Sequence, residues 1–400
     1  MQRTEKYFEQ DAFRTECESV ILAAEPDEKT GGGRIALDGT VFYPEGGGQP
    51  ADRGTLTLPD GTVLRVSDVH EQAGIIWHTV DALPAAAAPG AAVAGCIDWD
   101  WRFDKMQQHT GEHILSGILH QMFGAENVGF HIGQEETTLD TSLPIPPEGL
   151  AAAEAEANRI VWADLPVQAE YPAPEVLATL TYRSKKAIDG AVRIVTIPGA
   201  DCCACCGTHV ERTGQIGQIK VMGAMNYKGG TRIALACGGR ALTAFSQMLE
   251  EQAKLRAQFS AKNGQLAAAA QRQADELAAQ KARAAQLEQQ VFAYTAAQVQ
   301  EGDQPVLFVR DLSGDSLRRL CLALSEHTHR PCAVFTQGGQ GYAYCLAWNG
   351  GDARVLAKAM NAALNGRGGG KPELCSGSVA ETDLDKVTAF FQEQEQAGNI

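Results

Sequence analysis

The chain has 400 residues, of which 44% are hydrophobic, and a formal charge of −15 at pH 7. Its length exceeds one ordinary hydrophobic core, so we expect two to four globular domains, and its acidic charge argues against general nucleic-acid binding. No apolar run approaches the ~20 residues of a membrane-spanning helix, and the charged N-terminus lacks the apolar stretch of a secretory signal.

Residues 1–92 are predicted to form a Gly-rich, β-barrel-like domain, because short alternating runs are separated by Gly, Pro and Asp turns. The predicted strands cover residues 19–23, 34–37, 55–58, 63–66 and 75–79. Residues 82–95 are rich in Ala, Pro and Gly, and this composition predicts a linker or loop.

Residues 93–240 are predicted to form an α+β domain. Its first helix starts near Asp104, carries an apolar stripe and stops at Gly124. A second helix is expected over residues 148–163, and strands are expected near residues 192–197 and 216–222. The overall prediction for the chain is therefore an α+β fold.

Residues 241–300 are rich in Ala, Gln, Glu and Leu and are predicted to be helical. An imperfect series of three- and four-residue apolar steps, starting at Leu266, indicates a weak coiled coil within one chain or between two subunits. A long surface helix that bridges two domains fits the same pattern. The Asn263-Gly264 pair interrupts the helical pattern.

Residues 301–400 alternate strand and helix patterns and are predicted to form a small α/β domain. The predicted strands are 306–309, 332–335 and 342–347, and the predicted helices are 317–325, 353–364 and 383–394. A glycine-rich segment, residues 365–372, is predicted to be a loop between the last two helices.

Two short motifs predict a metal centre. HTGEH (109–113) and CCGTH (205–209) each carry two metal-binding side chains four residues apart, a spacing that puts both on one face of a helix. Three imidazoles and one thiolate are a normal ligand set for tetrahedral zinc. The four predicted ligands are His109, His113, Cys205 and His209. Four protein ligands ordinarily make a closed structural site, so the pattern alone does not establish catalysis.

Glu112 adds an alternative, because HxxEH is also the metal motif of one class of zinc peptidases, in which the Glu is the general base. We expect Glu112 instead to be an exposed helix carboxylate. The thiols of Cys202, Cys203 and Cys206 also have metal-binding or redox spacings, but only Cys205 has a histidine four residues later. The crowding of thiols indicates reduced cysteines and a cytoplasmic protein.

The segment 181–240 is basic, with nine Lys or Arg residues against three acidic ones. Such a stretch around the second metal motif suits a polyanionic substrate, and it fits a solvated charged surface equally well.

Four stretches, in this order, make the chain resemble the long-form AlaX-type alanyl-tRNA editing proteins, which are free-standing relatives of the editing domain of alanyl-tRNA synthetases. They are FYPEGGGQPAD (42–52), QHTGEHILS (108–116), CCGTHV (205–210) and GRGGGKPEL (366–374). The last stretch resembles the DHH-associated C-terminal domain of alanyl-tRNA synthetases. One departure is Cys206, which stands where the family usually has Gly.

The resemblance implies zinc-dependent hydrolysis of mischarged tRNA(Ala), chiefly the seryl and also the glycyl ester, without ATP. It implies Zn²⁺ on the four predicted ligands and a substrate pocket beside the Gly-rich loop, with Gln49 in a catalytic role. The implied substrate-binding residues are Gly46, Gly47, Gly48, Gln49, Arg367 and Lys371, the last two facing phosphates of the acceptor end. The chain has no module for aminoacylation before the first metal motif, so it is expected to edit and not to charge tRNA.

The partner implied is the acceptor end of tRNA(Ala) carrying serine or glycine, and a homodimer through the C-terminal half is a further expectation; no membrane partner is expected. Two alternatives stay open at this point. One is a zinc metallopeptidase of the HxxEH type, and the other is a non-catalytic tRNA-binding or dimerisation protein with a structural zinc.

Overall fold

The structure is a computed structural model that describes residues 2–27, 32–134, 136–184, 190–300, 302–303, 305–312, 314–339 and 341–400. It divides into two compact units, Met1–Gln252 and Ala253–Ile400. The division into domains 1–92, 93–240, 241–300 and 301–400 remains a prediction. None of the helices in the described residues combines the length and apolarity that crossing a membrane requires.

A closed six-stranded barrel forms the first part of unit Met1–Gln252, in the strand order β2-β3-β7-β6-β5-β8. The elements of this part are β1 (Glu5–Lys6), α1 (Tyr7–Gln10), β2 (Glu16–Pro26), β3 (Gly33–Leu37), β4 (Gly39–Thr40), β5 (Gly54–Thr57), β6 (Val63–Gln72), β7 (Ile75–Val80) and β8 (Ala92–Ile97). Along β2 and β8 the side chains alternate between exposed and buried, as a half-buried strand requires. The predicted β-barrel-like architecture is confirmed.

The prediction of a linker over residues 82–95 is wrong at its end, because β8 belongs to the barrel and pairs with both β2 and β5. Gly95 packs against the barrel core, and a Cβ there would lie 3.0 Å from the sulfur of Cys17 and 3.1 Å from the ring of Phe42. The small residues that resemble a flexible linker in the sequence are small because the barrel closes tightly around them.

The rest of this unit combines helices with two antiparallel sheets, of strand order β14-β15-β10-β9 and β11-β12-β13. Its elements are α2 (Trp99–Phe123), β9 (Asn127–Ile132), β10 (Thr137–Thr141), α3 (Pro147–Trp162), β11 (Gln168–Glu170), α4 (Pro174–Leu177), β12 (Ile194–Ile197), β13 (Asp201–Ala204), a 3-10 turn (Thr213–Ile216), β14 (Ile219–Tyr227), β15 (Gly230–Cys237) and α5 (Gly238–Gln258), which continues into the second unit.

Helix α2 is the central element of this region. It begins where the Asp98 side chain accepts a hydrogen bond from the backbone of Trp101, and it ends at Gly124 in the left-handed conformation. Every residue from 108 to 119 is buried, so the middle of the helix is enclosed on all sides. The predicted helix is present, and it starts about one turn earlier than the sequence pattern indicates.

Unit Ala253–Ile400 contains a five-stranded sheet of order β16-β17-β18-β20-β19, in which only β16 and β17 run parallel. Its elements are α6 (Leu266–Ala297), β16 (Val306–Val309), α7 (Gly314–Thr328), β17 (Pro331–Gly338), β18 (Gly341–Trp348), α8 (Ala353–Ala363), β19 (Gly366–Lys371), β20 (Leu374–Val379) and α9 (Leu384–Gln396). The three strands and three helices predicted for residues 301–400 are present, and the molecule as a whole is a mixed α/β protein with a separate C-terminal domain.

The glycine-rich segment predicted as a loop is instead β19, an edge strand paired along its length with β20. At Gly368, a Cβ would lie 2.4 Å from the carbonyl oxygen of Ser376, so the close approach of the two strands excludes a side chain. Strand pairing has overridden the low intrinsic preference of glycine for sheets.

Candidate functional site

The four predicted metal ligands converge in the structure. Helix α2 carries His109 and His113 one turn apart, and the segment after β13 carries Cys205 and His209. One potential ligand atom from each residue lies within 4.8 Å of those of the other three. The sequence places these two segments about a hundred residues apart, and the fold brings them together at one point.

Gln49 orients His109. Its Oε1 lies 2.8 Å from His109 Nδ1 and accepts the backbone N–H of Thr208 at 3.2 Å. Its Nε2 donates to the hydroxyl of Thr208 at 2.8 Å. Because an amide oxygen only accepts, His109 carries its proton on Nδ1, and its Nε2 is left with a lone pair directed at the centre.

Asp201 orients His113 in the same way. Its Oδ2 accepts from His113 Nδ1 at 2.8 Å, while Arg183 donates from Nε to Oδ1 at 2.8 Å and from Nη2 to the hydroxyl of Ser116 at 2.8 Å. Burial alone would raise the pKa of Asp201, but its bonds to His113 and Arg183 hold this pKa below the ordinary value. The carboxylate therefore stays ionised inside the protein.

Thr110 orients His209. The Thr110 hydroxyl donates to the carbonyl of Met106 at 2.8 Å and accepts the backbone N–H of Val210 at 3.2 Å, so it accepts from His209 Nδ1, at 3.2 Å, as well. His209 Nε2 is buried and has no hydrogen-bond partner among the residues that the structure describes. Burial lowers the pKa of His209 to about 3, which keeps this nitrogen unprotonated. A buried lone pair without a partner is what a metal ligand looks like before the metal is added.

The thiol of Cys205 completes the group. Its sulfur lies 3.4 Å from His109 Nε2 and accepts the backbone N–H of Gly207 at 3.4 Å. Burial would raise the pKa of Cys205, but the neighbouring His109 and His113 lower it well below the ordinary value. Three imidazole nitrogens and one thiolate fit the preferences of Zn²⁺.

The loop that carries Cys205 is stabilised by hydrogen bonds from the buried Arg193 to its backbone. Arg193 donates from Nη1 to the carbonyl oxygens of Cys205 at 3.1 Å and of Gly207 at 2.8 Å. A Cβ at Gly207 would lie 2.2 Å from Cε1 of His109, so only glycine fits there. Cys206, the departure from the family pattern, is exposed and occupies the less restricted of the two positions.

A cleft of about 300 Å³ opens beside the four ligands. His109, His113 and Cys205 form one wall of this cleft, and Gly47, Glu112 and Asn127 are among its other lining residues.

The prediction that Glu112 is exposed is wrong. Its side chain lies in the enclosed middle of α2, is 2% exposed, and accepts a hydrogen bond on Oε1 from Nδ2 of Asn127 at 2.5 Å. The carboxylate therefore faces this cleft and not bulk solvent.

The Gly-rich loop lies against the same region. Gly46 and Gln49 form a tight backbone turn between them, and Gly47 and Gly48 both have positive φ. At Gly48, a Cβ would lie 2.5 Å from the carbonyl oxygen of Phe130. Gly47 lines the cleft, whereas Gln49 is fully buried behind His109.

A buried ion pair ties this loop to α2. Arg102 donates from Nε to both carboxylate oxygens of Asp52 at 3.0 Å, and neither residue is exposed. Arg102 precedes His109 by two helical turns, and Asp52 follows Gln49 by three residues. The ion pair and the Gln49–His109 bond thus join the same two segments at successive points, which aligns the loop with the metal ligands.

The basic segment 181–240 is largely neutralised by nearby acids. Five of its basic side chains form ion pairs: Arg183–Asp201, Arg212–Asp164, Lys220–Glu154, Arg232–Asp140 and Arg240–Asp104. Lys185, Lys186 and Asp189 lie outside the described residues. The charged-surface interpretation of this segment is therefore favoured over a continuous phosphate-binding strip.

Arg367 and Lys371 are exposed residues of β19, in unit Ala253–Ile400. Four other residues of the site were not predicted from the sequence: Thr110, Asp201, Asn127 and Arg183. A signal existed for the first two, since Thr110 adjoins a predicted ligand and Asp201 opens the cysteine-rich run. Asn127 and Arg183 have no such signal, because only the fold brings them to the cleft.

Comparison with known proteins gives three matching family profiles. They are tRNA synthetases class II (A) over residues 5–101, the Threonyl and Alanyl tRNA synthetase second additional domain over residues 192–234, and the DHHA1 domain over residues 303–397. The third profile coincides with the C-terminal domain that the GRGGGKPEL motif indicated.

Individual proteins match as well. The alanyl-tRNA editing protein AlaX-L of Pyrococcus horikoshii is 32% identical over 250 residues, which cover 62% of this chain and 61% of that protein. The alanyl-tRNA editing protein Aarsd1 of Mus musculus is 30% identical over 250 residues, covering 58% and 59% respectively. An alanine–tRNA ligase of Methanoregula boonei is 31% identical over 397 residues, covering 95% of this chain and 42% of the ligase.

The aligned region thus spans about three fifths of the two editing proteins and less than half of the ligase. The matches confirm the resemblance drawn from the motifs: this chain is related to the AlaX-type alanyl-tRNA editing proteins.

Proposed function

We propose that the chain hydrolyses the ester bond of mischarged tRNA(Ala), chiefly Ser-tRNA(Ala) and also Gly-tRNA(Ala). The observation that carries the proposal is the meeting of three imidazole nitrogens and one thiolate at the wall of the cleft beside α2, which we call the editing cleft. The cleft, at about 300 Å³, is at the small end of ligand sites, which suits an aminoacyl group. The relatives named alanyl-tRNA editing proteins point to the same substrate class.

The chemical need for such an enzyme is clear. A synthetase pocket built for alanine cannot strongly reject serine, which adds only one hydroxyl, nor glycine, which is smaller by one methyl. A separate site with polar groups can recognise the wrong product and hydrolyse it. The editing cleft offers such groups in Glu112, Asn127 and Ser116.

We propose that His109, His113, Cys205 and His209 hold one Zn²⁺. The partnerless Nε2 of His209 and the depressed pKa of Cys205 support this ligand set. When bound, Zn²⁺ would supply positive charge for polarising the ester carbonyl or for lowering the pKa of a water molecule.

The chain's own residues prepare this centre. Gln49, Asp201 and Thr110 each engage one histidine Nδ1, so the three rings are held in place and their Nε2 atoms are left to face the centre. The ligands are thus oriented before any metal or substrate arrives.

Gln49 was predicted to be catalytic. Its full burial and its bonds to His109 and Thr208 favour a positioning role, in which it acts through His109 and not on the substrate. Gly46, Gly47 and Gly48 remain proposed substrate-binding residues; Gly47 lines the cleft without a side chain and so leaves room for the 3′ end of the tRNA.

Two proposals concern unit Ala253–Ile400. Arg367 and Lys371 are proposed to contact tRNA phosphates, and replacing both with Glu should lower tRNA affinity and its salt dependence while kcat stays unchanged.

The apolar side chains Leu277, Leu287, Val291 and Tyr294 are exposed along α6. We propose that they form the predicted coiled coil in a homodimer; a monomeric mass in solution would contradict this.

We also propose a cytoplasmic location, because all eleven cysteines are free thiols.

The deciding experiment is deacylation of Ser-, Gly- and Ala-tRNA(Ala) by the full chain, with and without a zinc chelator. We expect rapid loss of the seryl ester, slower loss of the glycyl ester, retention of the alanyl ester, and inhibition by the chelator that added Zn²⁺ reverses. Full activity after complete removal of the metal would contradict the role of the centre.

Two alternatives have distinct results in the same set of assays. A peptidase that uses Glu112 would cleave unstructured peptides in a zinc-dependent manner and leave the seryl ester intact. A non-catalytic binding protein would bind tRNA(Ala) and retain the ester even with enzyme in excess over substrate.

A further inference from the structure

Glu112 is a buried carboxylate of the editing cleft that the proposed metal centre does not use. It lines the cleft together with His109 and His113, yet it is not one of the four grouped ligands. Its Oε1 accepts a hydrogen bond from Nδ2 of Asn127, which fixes the carboxylate at the cleft wall. Burying an ionised carboxylate is costly unless a cation or several donors compensate the charge.

Two arginines also line the cleft, but both are committed elsewhere. Arg183 binds the Asp201 carboxylate and the Ser116 hydroxyl. Arg193 binds the backbone carbonyl oxygens of the Cys205 loop. Among the ion pairs of the described residues none involves Glu112. The Glu112 carboxylate thus lies at the cleft wall without an ion-pair partner in the described part of the chain, where a cationic group of a bound substrate can reach it.

We propose that Glu112, oriented by Asn127, binds the α-ammonium group of the aminoacyl ester. This rests on the proposed function and names the group by which the site recognises its substrate. An α-amino group has a pKa of about 8 and so is largely protonated at neutral pH. A carboxylate that is already desolvated and held by a hydrogen bond is a suitable acceptor for it.

The position of Glu112 suits this role. It directly precedes His113 on α2, and the amine of an aminoacyl ester is two bonds from the carbonyl carbon that is attacked. Binding of the amine by Glu112 would leave the carbonyl near the metal ligands of the neighbouring wall. The site would consequently select esters with a free amine and reject esters whose amine is acylated, including peptidyl esters.

The test compares Ser-tRNA(Ala) with N-acetyl-Ser-tRNA(Ala) in the wild type, in Glu112→Gln and in Glu126→Gln. Glutamine keeps the size of Glu112 and its acceptor for Asn127 but removes the charge. Glu126 lines the same cleft as an exposed carboxylate bonded to His120, so it is a matched control.

We expect the wild type to prefer the free amine, and Glu112→Gln to raise KM for Ser-tRNA(Ala) by roughly tenfold to a hundredfold, the range of a hydrogen bond to a charged group. The same variant should leave the N-acetyl ester nearly unaffected, so that the preference disappears. Glu126→Gln should keep it. Asn127→Ala should weaken the preference partly, because it removes the group that orients Glu112.

Other outcomes overturn the proposal. Equal losses of kcat on both esters would assign Glu112 to proton transfer, and a wild type that cleaves both esters equally would exclude recognition of the amine. If the wild type cleaves neither ester, the proposed function itself fails. Zinc content and the thermal unfolding of each variant, both expected to match the wild type, separate these results from misfolding.

Discussion

The chain has two cysteine-rich regions with opposite chemical character. In the first, residues 202–206, the sulfur of Cys205 lies beside three imidazoles at the wall of a cleft. In the second, Cys321, Cys332 and Cys345 are enclosed in the core of the C-terminal sheet and its helix α7. Cys321 lies 3.1 Å from the carbonyl oxygens of both Cys332 and Cys345.

The surroundings, and not the number of thiols, decide what each region can do. Burial and the neighbouring thiols of Cys345 and Cys332 raise the pKa of Cys321 well above its ordinary value. For Cys205 the nearby His109 and His113 outweigh burial and lower its pKa. Only a thiolate binds metal strongly. We therefore propose a metal ligand in the first region, where imidazoles surround the thiol, and apolar packing in the second.

The strongest test of this contrast removes two ligands together. In the variant Cys205→Ala, His209→Ala we expect loss of bound zinc and a fall in the deacylation rate of more than about a hundredfold. This exceeds the effect of about 10- to 100-fold expected when only a residue that hydrogen-bonds a ligand is changed. Metal content by mass spectrometry and single-turnover deacylation measure the two effects. Retained zinc would show that Cys202, Cys203 or Cys206 can replace the lost thiol.

A second test uses acid. The buried His78 accepts from Thr40 at Nε2 and donates from Nδ1 to Ile35, and burial lowers its pKa to about 4. The unfolded chain therefore binds a proton below about pH 6.5 that the folded barrel does not bind, and stability falls as the pH is lowered. The loss should reach about 3 kcal/mol near pH 4.

Urea unfolding at pH 7 and pH 4.5 checks this, with His78→Gln as the comparison. An equally steep pH dependence in that variant would assign the effect to other groups.

A third test weakens the metal centre without touching a ligand. Asp201→Asn leaves the shape of the side chain but removes the charge that faces His113, so zinc affinity should fall by about 10- to 100-fold. Competition with a chromophoric chelator measures this. Asp164→Asn, which disturbs the exposed pair with Arg212 and a bond from the backbone of Gly214, is the control and should leave zinc affinity unchanged.

The smallest effect is expected in the second cysteine region. Cys345→Ala removes a buried sulfur from an apolar core and should lower the free energy of unfolding by about 1–2 kcal/mol. Zinc content and deacylation should remain those of the wild type. Any loss of metal from this variant would contradict the division between the two regions.

Much of the fold could be predicted because it follows local patterns. The helix that carries His109 and His113 can be predicted from its apolar stripe and from Gly124 at its end. The strands of the barrel can be predicted from the alternation of apolar and polar residues. The failures occur where tertiary pairing decides. The glycines of β19 look like a loop until β20 supplies hydrogen bonds, and the small residues of β8 look like a linker until the barrel closes on them.

The site divides in the same manner. The four-residue spacing predicted His109, His113, Cys205 and His209, and these side chains do lie together in the structure. The prediction was possible because each pair lies within one short segment of the sequence. Glu112 was misjudged, since the helical pattern does not reveal that α2 is enclosed on every side. Asp201 and Asn127 reach the site from other strands, and no local rule links them to the histidines.

Gly207 has a practical consequence for recognising and redesigning such proteins. Its hydrogen faces the His109 ring where a methyl group would collide, whereas its neighbour Cys206 is open to solvent. A search pattern for distant homologues should thus require glycine at position 207 and allow other residues at position 206. Cys206 is also a natural attachment point for a spectroscopic label next to the proposed metal centre.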